Sequence, residues 1–373
     1  MSYFFVGSFS IPQAPGFKGS AAGAKVQHEI INALESQFGK GQNFVMPELP
    51  SWPNEKLLVR SNYEGRIHFL PTFNFYLLKR LFFFVFLFFY FVRNRPNFIF
   101  FYNTSLSCQL FSLLVRPFSC RTILILQDIN CRCVFGTYLL VNPKELLCFI
   151  SSKFVRFSFD FYVPITEVCV RDFKLPDQKC YVFPGGIIES SIEGELFCVK
   201  ESGEKYSVFA GSIEPYNGID LLVNSWPFPE TREHRLHVFG RGSLDFFVRQ
   251  VAAQNKNIIF HGFASPEIVN YYSRFAQCNF CLRYSKGIDQ RYFFPSKFFD
   301  LIVLSGALVC NRFDNIPEDL RPYVTFVDED LANLLEALDW DGSHSETTYV
   351  EKMKILKRKY TWKRLVEEVD SRI

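Results

Sequence analysis

Short apolar runs that stop at a glycine recur through the second half of the chain, each followed by a stretch long enough for a helix. Tyr181–Phe183 leads to Pro184-Gly185-Gly186, Ser207–Ala210 to Gly211-Ser212, Leu236–Phe239 to Gly240-Arg241-Gly242-Ser243, and Asn257–Phe260 to His261-Gly262. Phe280–Leu282 and Ala307–Cys310 complete the series. The first half alternates in the same way, with strand patterns at Tyr3–Val6, Phe98–Tyr102, Thr122–Leu126 and Phe161–Pro164, and a helical stretch from about Ala24 to Phe38. Repeated strand–loop–helix units imply parallel sheets covered by helices on both faces. At about 150 residues per domain, 373 residues suggest two such domains. The expected class is therefore α/β, with two doubly wound, Rossmann-like domains. The polar stretch Glu189–Lys205 is the best candidate for the connection between them.

Composition narrows the function. A formal net charge of +3 gives no support to nucleic-acid binding, so no nucleic-acid partner is expected. The chain begins Met-Ser-Tyr-Phe-Phe-Val, without the basic opening of a signal peptide, and its 11 cysteines are odd in number. Both features are expected of reduced thiols in the cytoplasm. Cys131/Cys133 and Cys278/Cys281 are close pairs, but neither has a second Cys/His pair at zinc spacing, so no metal site is expected.

Phenylalanine is the unusual residue, at 45 copies, and it clusters. Leu81–Val92 is an unbroken run of twelve apolar residues between Lys79-Arg80 and Arg93/Arg95. A bilayer span needs about 20, so the run is too short to cross a membrane. It lacks the polar stripe of an ordinary surface helix. Two readings remain: a helix wedged into the core, or a peripheral helix on the inner face of the cytoplasmic membrane, with cations near lipid phosphates.

In parallel α/β sheets, ligands bind beyond the carboxyl ends of the strands. Gly211-Ser212, Gly240-Arg241-Gly242 and His261-Gly262 all fall at such ends, and Pro295-Ser296-Lys297 opens a helix. Glycine lets backbone approach a ligand, while Lys and Arg attract phosphate. Together they point to a nucleotide or a phosphorylated ligand. No Gly-x-Gly-x-x-Gly opens the first strand–helix unit, as a dinucleotide-binding dehydrogenase would require, and no P-loop is present.

These segments resemble the donor half of GT-B glycosyltransferases, in particular retaining family 4 and its Pro-Ser-Lys subgroup. VFAGSIEPYNGIDLLVNSW (Val208–Trp226) is similar to the family's opening strand, glycine turn and helix, and LHVFGRGS (Leu236–Ser243) resembles its Gly-x-Gly strand end. The stretch Asn257–Ser285 is similar to the next unit, with Gln277 for the usual Asp, and FPSKFFDLIVLSGALVCN (Phe294–Asn311) matches the Pro-Ser-Lys helix. The likeness covers about Tyr181 to Asn311 well and the first half only in outline.

The resemblance implies two domains facing across a cleft. Residues 1–185 would bind the acceptor, 186–355 the nucleotide sugar, and a helix over 356–373, containing Trp362, would cross back to the first domain. It implies no cofactor, a UDP- or GDP-linked donor, and a glycan or lipid-linked glycan acceptor. Lys297, Arg241 and Asp128 are the catalytic candidates. Gly211, Ser212, Gly240, Gly242, Arg283, Pro295, Ser296 and Asp300, with Gly19 and Ser20 of the Gly16–Gly23 loop, are the donor-binding candidates. Asp300 would accept ribose hydroxyl hydrogen bonds, or else serve as a charge partner in its own helix. Asp128 would contact sugar or acceptor, or else cap the next helix. The six histidines show no catalytic spacing, and His261, at a strand end facing the cleft, is the only one to test.

Three further positions depart from the family pattern. Tyr292 stands where the first acid of the Glu-x7-Glu pair belongs, with Asp289 off register. Ser212 and Asn217 stand where an Arg and a Lys are common. Arg241, Arg283, Arg291 and Lys297 are the cations able to compensate. Without compensation, the chain would be a catalytically inactive homologue that serves as a binding partner.

Overall fold

The computed structural model describes residues 1–9, 21–49, 51–59, 62–75, 78–129, 143–188, 205–226, 234–284, 290–338 and 346–373. Gly19, Ser20, Cys131, Cys133, Asp289 and most of the Glu189–Lys205 connection lie outside them. The chain divides into two compact units, Met1–Pro184 with Trp362–Ile373, and Gly185–Thr361.

The strands of the first unit are β1 Tyr3–Phe9, β2 Gln42–Pro47, β3 Leu58–Val59, β4 Asn62–Glu64, β5 Ile67–Phe69, β6 Thr72–Phe73, β7 Phe98–Tyr102, β8 Arg121–Leu126 and β9 Phe161–Pro164. Seven of them form one sheet in the order β4-β5-β2-β1-β7-β8-β9, parallel except at the β4/β5 edge. β3 and β6 pair separately. Side chains alternate between the two faces, as pleating requires. Tyr3, Phe5, Phe100, Ile123 and Val163 face one way, onto the helix Ala21–Phe38 and the terminal helix Trp362–Arg372.

The opposite face carries Phe101, which meets Phe111 at 6.2 Å and Phe159 at 5.6 Å between ring centres. Three helices lie side by side there: Lys79–Asn94, Leu106–Val115 and Pro143–Ser158. Phe111 joins them, touching Phe84, Phe88 and Phe91 of the first helix at 5.3–6.5 Å. Gln109 Nε2 donates to the Ser151 carbonyl at 2.9 Å, and Ser112 Oγ to the Ser158 carbonyl at 2.5 Å, tying the second helix to the third. The Phe-rich helix is thus divided lengthwise. Phe83, Leu87 and Phe91, spaced by four, are buried on the sheet, whereas Leu81, Val85, Phe89 and Val92 are exposed on the other side. No described helix is long and apolar enough to cross a membrane.

The second unit has six parallel strands, β10 Lys205–Ala210, β11 His234–Phe239, β12 Ile258–Gly262, β13 Cys278–Phe280, β14 Ala307–Asn311 and β15 Val324–Val327, in the order β12-β11-β10-β13-β14-β15. Its core is built from Phe209, Leu236, Val238, Phe280 and Val309 of the strands with Ile219 and Leu222 of the helix Ile219–Asn224. The order places the first strand in the middle, so the chain reverses its winding direction there, the arrangement that defines a doubly wound sheet.

Tyr181–Phe183 belongs to the first unit. It runs beside β9 through two bonds, Tyr181 N to the Tyr162 carbonyl and Phe183 N to the Pro164 carbonyl, before the chain leaves the first unit. One expectation needs correction: the strand expected at Phe280–Leu282 covers Cys278–Phe280, and past its end Cys281 N still donates to the Val309 carbonyl at 2.9 Å. Near the end of the chain, the helix Glu346–Lys359 lies within the second unit. Trp362 onward joins the first, with Gln37 Nε2 donating to Asp370 at 2.8 Å.

The Phe111 cluster predicts a sharp contrast in stability. Phe111→Ala should cost about 3–5 kcal/mol, as expected for a large ring removed from a core. Phe89→Ser, on the exposed side of the Phe-rich helix, should change stability by less than about 0.5 kcal/mol. Urea unfolding of the full chain measures both. Equal losses would show that the helix is buried all round.

Candidate functional site

In the second unit, the ends of β10 and β11 come together as bare backbone. Gly211 N donates to the Phe239 carbonyl at 2.9 Å, and Gly240 N to the Gly262 carbonyl at 2.8 Å. Gly242 N is taken by Asp245 Oδ1 at 2.8 Å, and Ser243 N by Glu214 Oε1 at 2.9 Å. The amides of Gly211, Gly240 and Gly242 are therefore engaged within the protein. Their glycines matter for space instead. A Cβ on Gly240, at φ +146°, would lie 1.7 Å from the Gly211 carbonyl oxygen, and one on Gly211 would lie 2.7 Å from the Lys297 amine.

Lys297 lies in the short helix Ser296–Ile302 that follows Pro295. Its amine reaches across to β10 and donates to the Ala210 carbonyl. The residue is exposed as a whole, while desolvation at the amine lowers its pKa from 10.5 to about 8, against the upward pull of Cys281 and Asp300. Asp300, one turn on, and Ser296 are both exposed. The sequence brings a cation to this point because Gly211 leaves the room and the helix start aims Lys297 at it.

Ser212 and Asn217, which replace the expected Arg and Lys, are bonded to each other, with Asn217 Nδ2 donating to Ser212 Oγ at 2.6 Å and to its carbonyl at 2.8 Å. Asn217 Oδ1 in turn accepts from Arg283 Nη1 at 3.0 Å, and the guanidinium lies 5.0 Å over the Tyr216 ring. Burial lowers the Arg283 pKa below its usual value. Asn311, at the end of β14, clamps the Arg283 backbone: its Oδ1 accepts from Arg283 N at 2.7 Å and its Nδ2 donates to the Arg283 carbonyl at 2.5 Å. Arg241 points elsewhere, 4.8 Å over the exposed Phe263 ring. Tyr292 is fully buried, so the position of the family's first acid is a core position here.

His261 does not stand alone at its strand end. Its Nε2 is 2.8 Å from His237 Nδ1, and its ring stacks on Phe239 at 4.3 Å. Burial lowers both pKa values, His237 to about 4, so both rings are neutral at pH 7. Cys278 and Cys281 are buried free thiols with different neighbours, Ser207 for the first and Cys310 for the second. Among the described residues, no group of three or more His, Cys, Asp or Glu could hold a metal ion.

In the first unit, Asp128 is exposed just past β8, and its Oδ2 accepts from Asn103 Nδ2 at 2.9 Å. Asn103, at φ +60° after β7, also accepts the backbone amides of Gln127 and Asp128, each at 2.9 Å. Glu48, just past β2, accepts from Ser8 Oγ of β1 at 3.2 Å. Burial at the strand ends and the nearby Asp128 charge raise the Glu48 pKa, and Ser8, Lys79 and Arg80 oppose them. Four neighbouring strands thus end in Glu48, Ser8, Asn103 and Asp128. Sequence reasoning found only Asp128 among these, and missed Asn311 and Tyr216 in the second unit. Nothing marks such residues until sheet order makes them neighbours.

No family model matches the chain, and no curated protein matches it. Solved structures do. The lipopolysaccharide outer core galactosyltransferase WaaB in its apo form is 13% identical over 100% of both chains, with a TM-score of 0.63. A UDP-forming trehalose-phosphate synthase from Burkholderia xenovorans has a TM-score of 0.67 at 13% identity, covering 99% of this chain and 98% of its own. Anabaena Alr3699/HepE in complex with UDP has a TM-score of 0.62 at 10% identity over 100% of both chains. At such identities the likeness shows the fold, the two Rossmann-like units of GT-B glycosyltransferases.

The histidine pair predicts an acid-sensitive second unit. His237 has a folded pKa of about 4, below its ordinary value of 6.5, so the unfolded chain binds more protons between those values. Stability should fall as pH drops from about 6.5 to 4, by roughly 1–2 kcal/mol once partial solvent screening is allowed for. His237→Phe should flatten that slope in denaturant melts across the range. An unchanged slope would place the acid sensitivity elsewhere.

Proposed function

We propose that the protein is a nucleotide-sugar-dependent hexosyltransferase. It moves a sugar from a UDP- or GDP-linked donor held by Gly185–Thr361 to a glycan or lipid-linked glycan acceptor held by the first unit. The observation that carries this reading is the Lys297 amine lodged at the Ala210–Gly211 strand end, beside the Asn217–Arg283 pair. Breaking the bond between the anomeric carbon and the β-phosphate oxygen leaves an electron pair on that oxygen. A fixed cation lowers the barrier by stabilising the charge as it develops. Lys297 supplies that charge and Arg283 a second one, in place of the usual pair lost at Ser212 and Asn217.

Asp300 accepts the ribose hydroxyls, as an acid of two acceptor oxygens can. Asp128, held in place by Asn103, receives the acceptor or the transferred sugar. The reaction retains anomeric configuration: the acceptor hydroxyl attacks on the face the diphosphate leaves and gives it the proton. Because side-chain cations carry the phosphate charge, transfer needs no metal. Among the similar structures, HepE binds UDP and UDP-glucose, which favours a UDP donor. WaaB is a lipopolysaccharide outer core galactosyltransferase, which favours a surface-polysaccharide acceptor. The exposed side of Leu81–Val92 keeps the enzyme peripheral on the inner face of the cytoplasmic membrane, where such acceptors lie.

Turnover of UDP- and GDP-sugars, followed as nucleoside diphosphate release, tests the assignment. Lys297→Ala should lower the rate by about 10²–10³-fold. Asp300→Ala should mainly weaken nucleotide binding, by roughly 1–3 kcal/mol. EDTA should leave activity unchanged. Strict dependence on Mn²⁺ or Mg²⁺, or normal kinetics in the Lys297 variant, would overturn the mechanism. UDP binding without turnover of any donor would make the chain an inactive homologue.

A further inference from the structure

The apolar surface of the first unit extends well beyond the Phe-rich helix. Phe89 of that helix is 66% exposed, Leu110 of the helix Leu106–Val115 is 56% exposed, and Phe157 of the helix Pro143–Ser158 is 57% exposed. Val85, Leu114 and Phe154 beside them are exposed as well. The three helices pack side by side on one face of the sheet, and each buries its opposite side on the sheet or on a neighbouring helix. Their outward residues therefore form one broad apolar face. A monomeric soluble protein rarely exposes a contiguous apolar patch of this kind without a use for it.

Charge identifies what covers it. The three helices carry Lys79, Arg80, Arg93, Lys144, Lys153 and Arg156 against the single acid Glu145. The cations lie against the apolar surface itself: the Arg156 guanidinium is 4.4 Å over the Phe157 ring, and that of Arg95 is 5.7 Å over Phe118. Arg93 and Arg95 are exposed at the end of the first helix. We infer that the outer faces of these three helices together form a docking plane for an anionic lipid bilayer. Their apolar side chains enter the acyl boundary and the arginines meet lipid phosphates. A second copy of the chain would bring two such cationic rims together, which like-charge repulsion disfavours. The plane widens the peripheral reading of Leu81–Val92 to two further helices that are distant in sequence, and it does not depend on the transferase chemistry.

Co-sedimentation of the full chain with vesicles tests it, using phosphatidylcholine alone or mixed equally with phosphatidylglycerol. Binding should be much stronger to the mixed vesicles and weaken in high salt. Phe154→Glu/Phe157→Glu should cut binding about tenfold or more, as should Phe89→Glu, because each removes buried ring area from the membrane. Arg93→Glu/Arg95→Glu should remove most of the phosphatidylglycerol preference. Should the glutamate variants fail to fold, Phe154→Trp gives a conservative reporter. Its emission in excess of the wild-type chain should shift blue on mixed vesicles. Wild-type binding by Phe154→Glu/Phe157→Glu, or no blue shift from Phe154→Trp, would overturn the three-helix plane. A dimer in solution that Phe89→Glu dissolves, without vesicle binding, would assign the face to self-association and overturn the proposal.

Discussion

The turn after β11 is possible only because Gly240 has no side chain. Its φ of +146° and a hypothetical Cβ contact of 1.7 Å with the Gly211 carbonyl leave no room for any other residue. That close approach fixes the ends of β10 and β11 against each other and consumes their amides internally. Gly211 then leaves the space into which the Lys297 amine fits. The candidate site of the second unit follows from this packing. Its positive charge comes from side chains that reach the strand ends, and Arg283 is held among them by Asn217 and Asn311.

The first unit depends on a different constraint, the need to place so many phenylalanines. One set fills the space between the sheet and three helices, with Phe111 at its centre. Another stays outside, on helices where Lys and Arg outnumber the single acid Glu145. The Phe-rich segment is buried along one side of its helix and exposed along the other.

Much of the fold was legible in the sequence, since apolar runs ending in glycine mark parallel strands directly. β2, with Asn43 and Pro47 around three apolar residues, and the short β15 carry no such mark, and only pairing within the sheet makes them strands. An all-apolar helix such as Leu81–Val92 has no periodicity, so the sequence does not say which side is buried. The site was legible in part. Lys297 and Arg283 could be named from motif position, but not the bonding of Asn217 to Arg283 or the capture of the Gly242 amide by Asp245. Glu48 and Asn103 became visible only when sheet order aligned β2, β1, β7 and β8.

The proposed chemistry stands or falls with the Lys297 amine as the cation that meets a diphosphate. NMR of the isotope-labelled lysine side chain, titrated with and without UDP, reads its charge state. A pKa near 8 is expected in the free protein, raised when UDP binds, because a neighbouring anion favours the charged amine. A Lys297 pKa at its ordinary value of 10.5, unmoved by saturating UDP, would contradict that role.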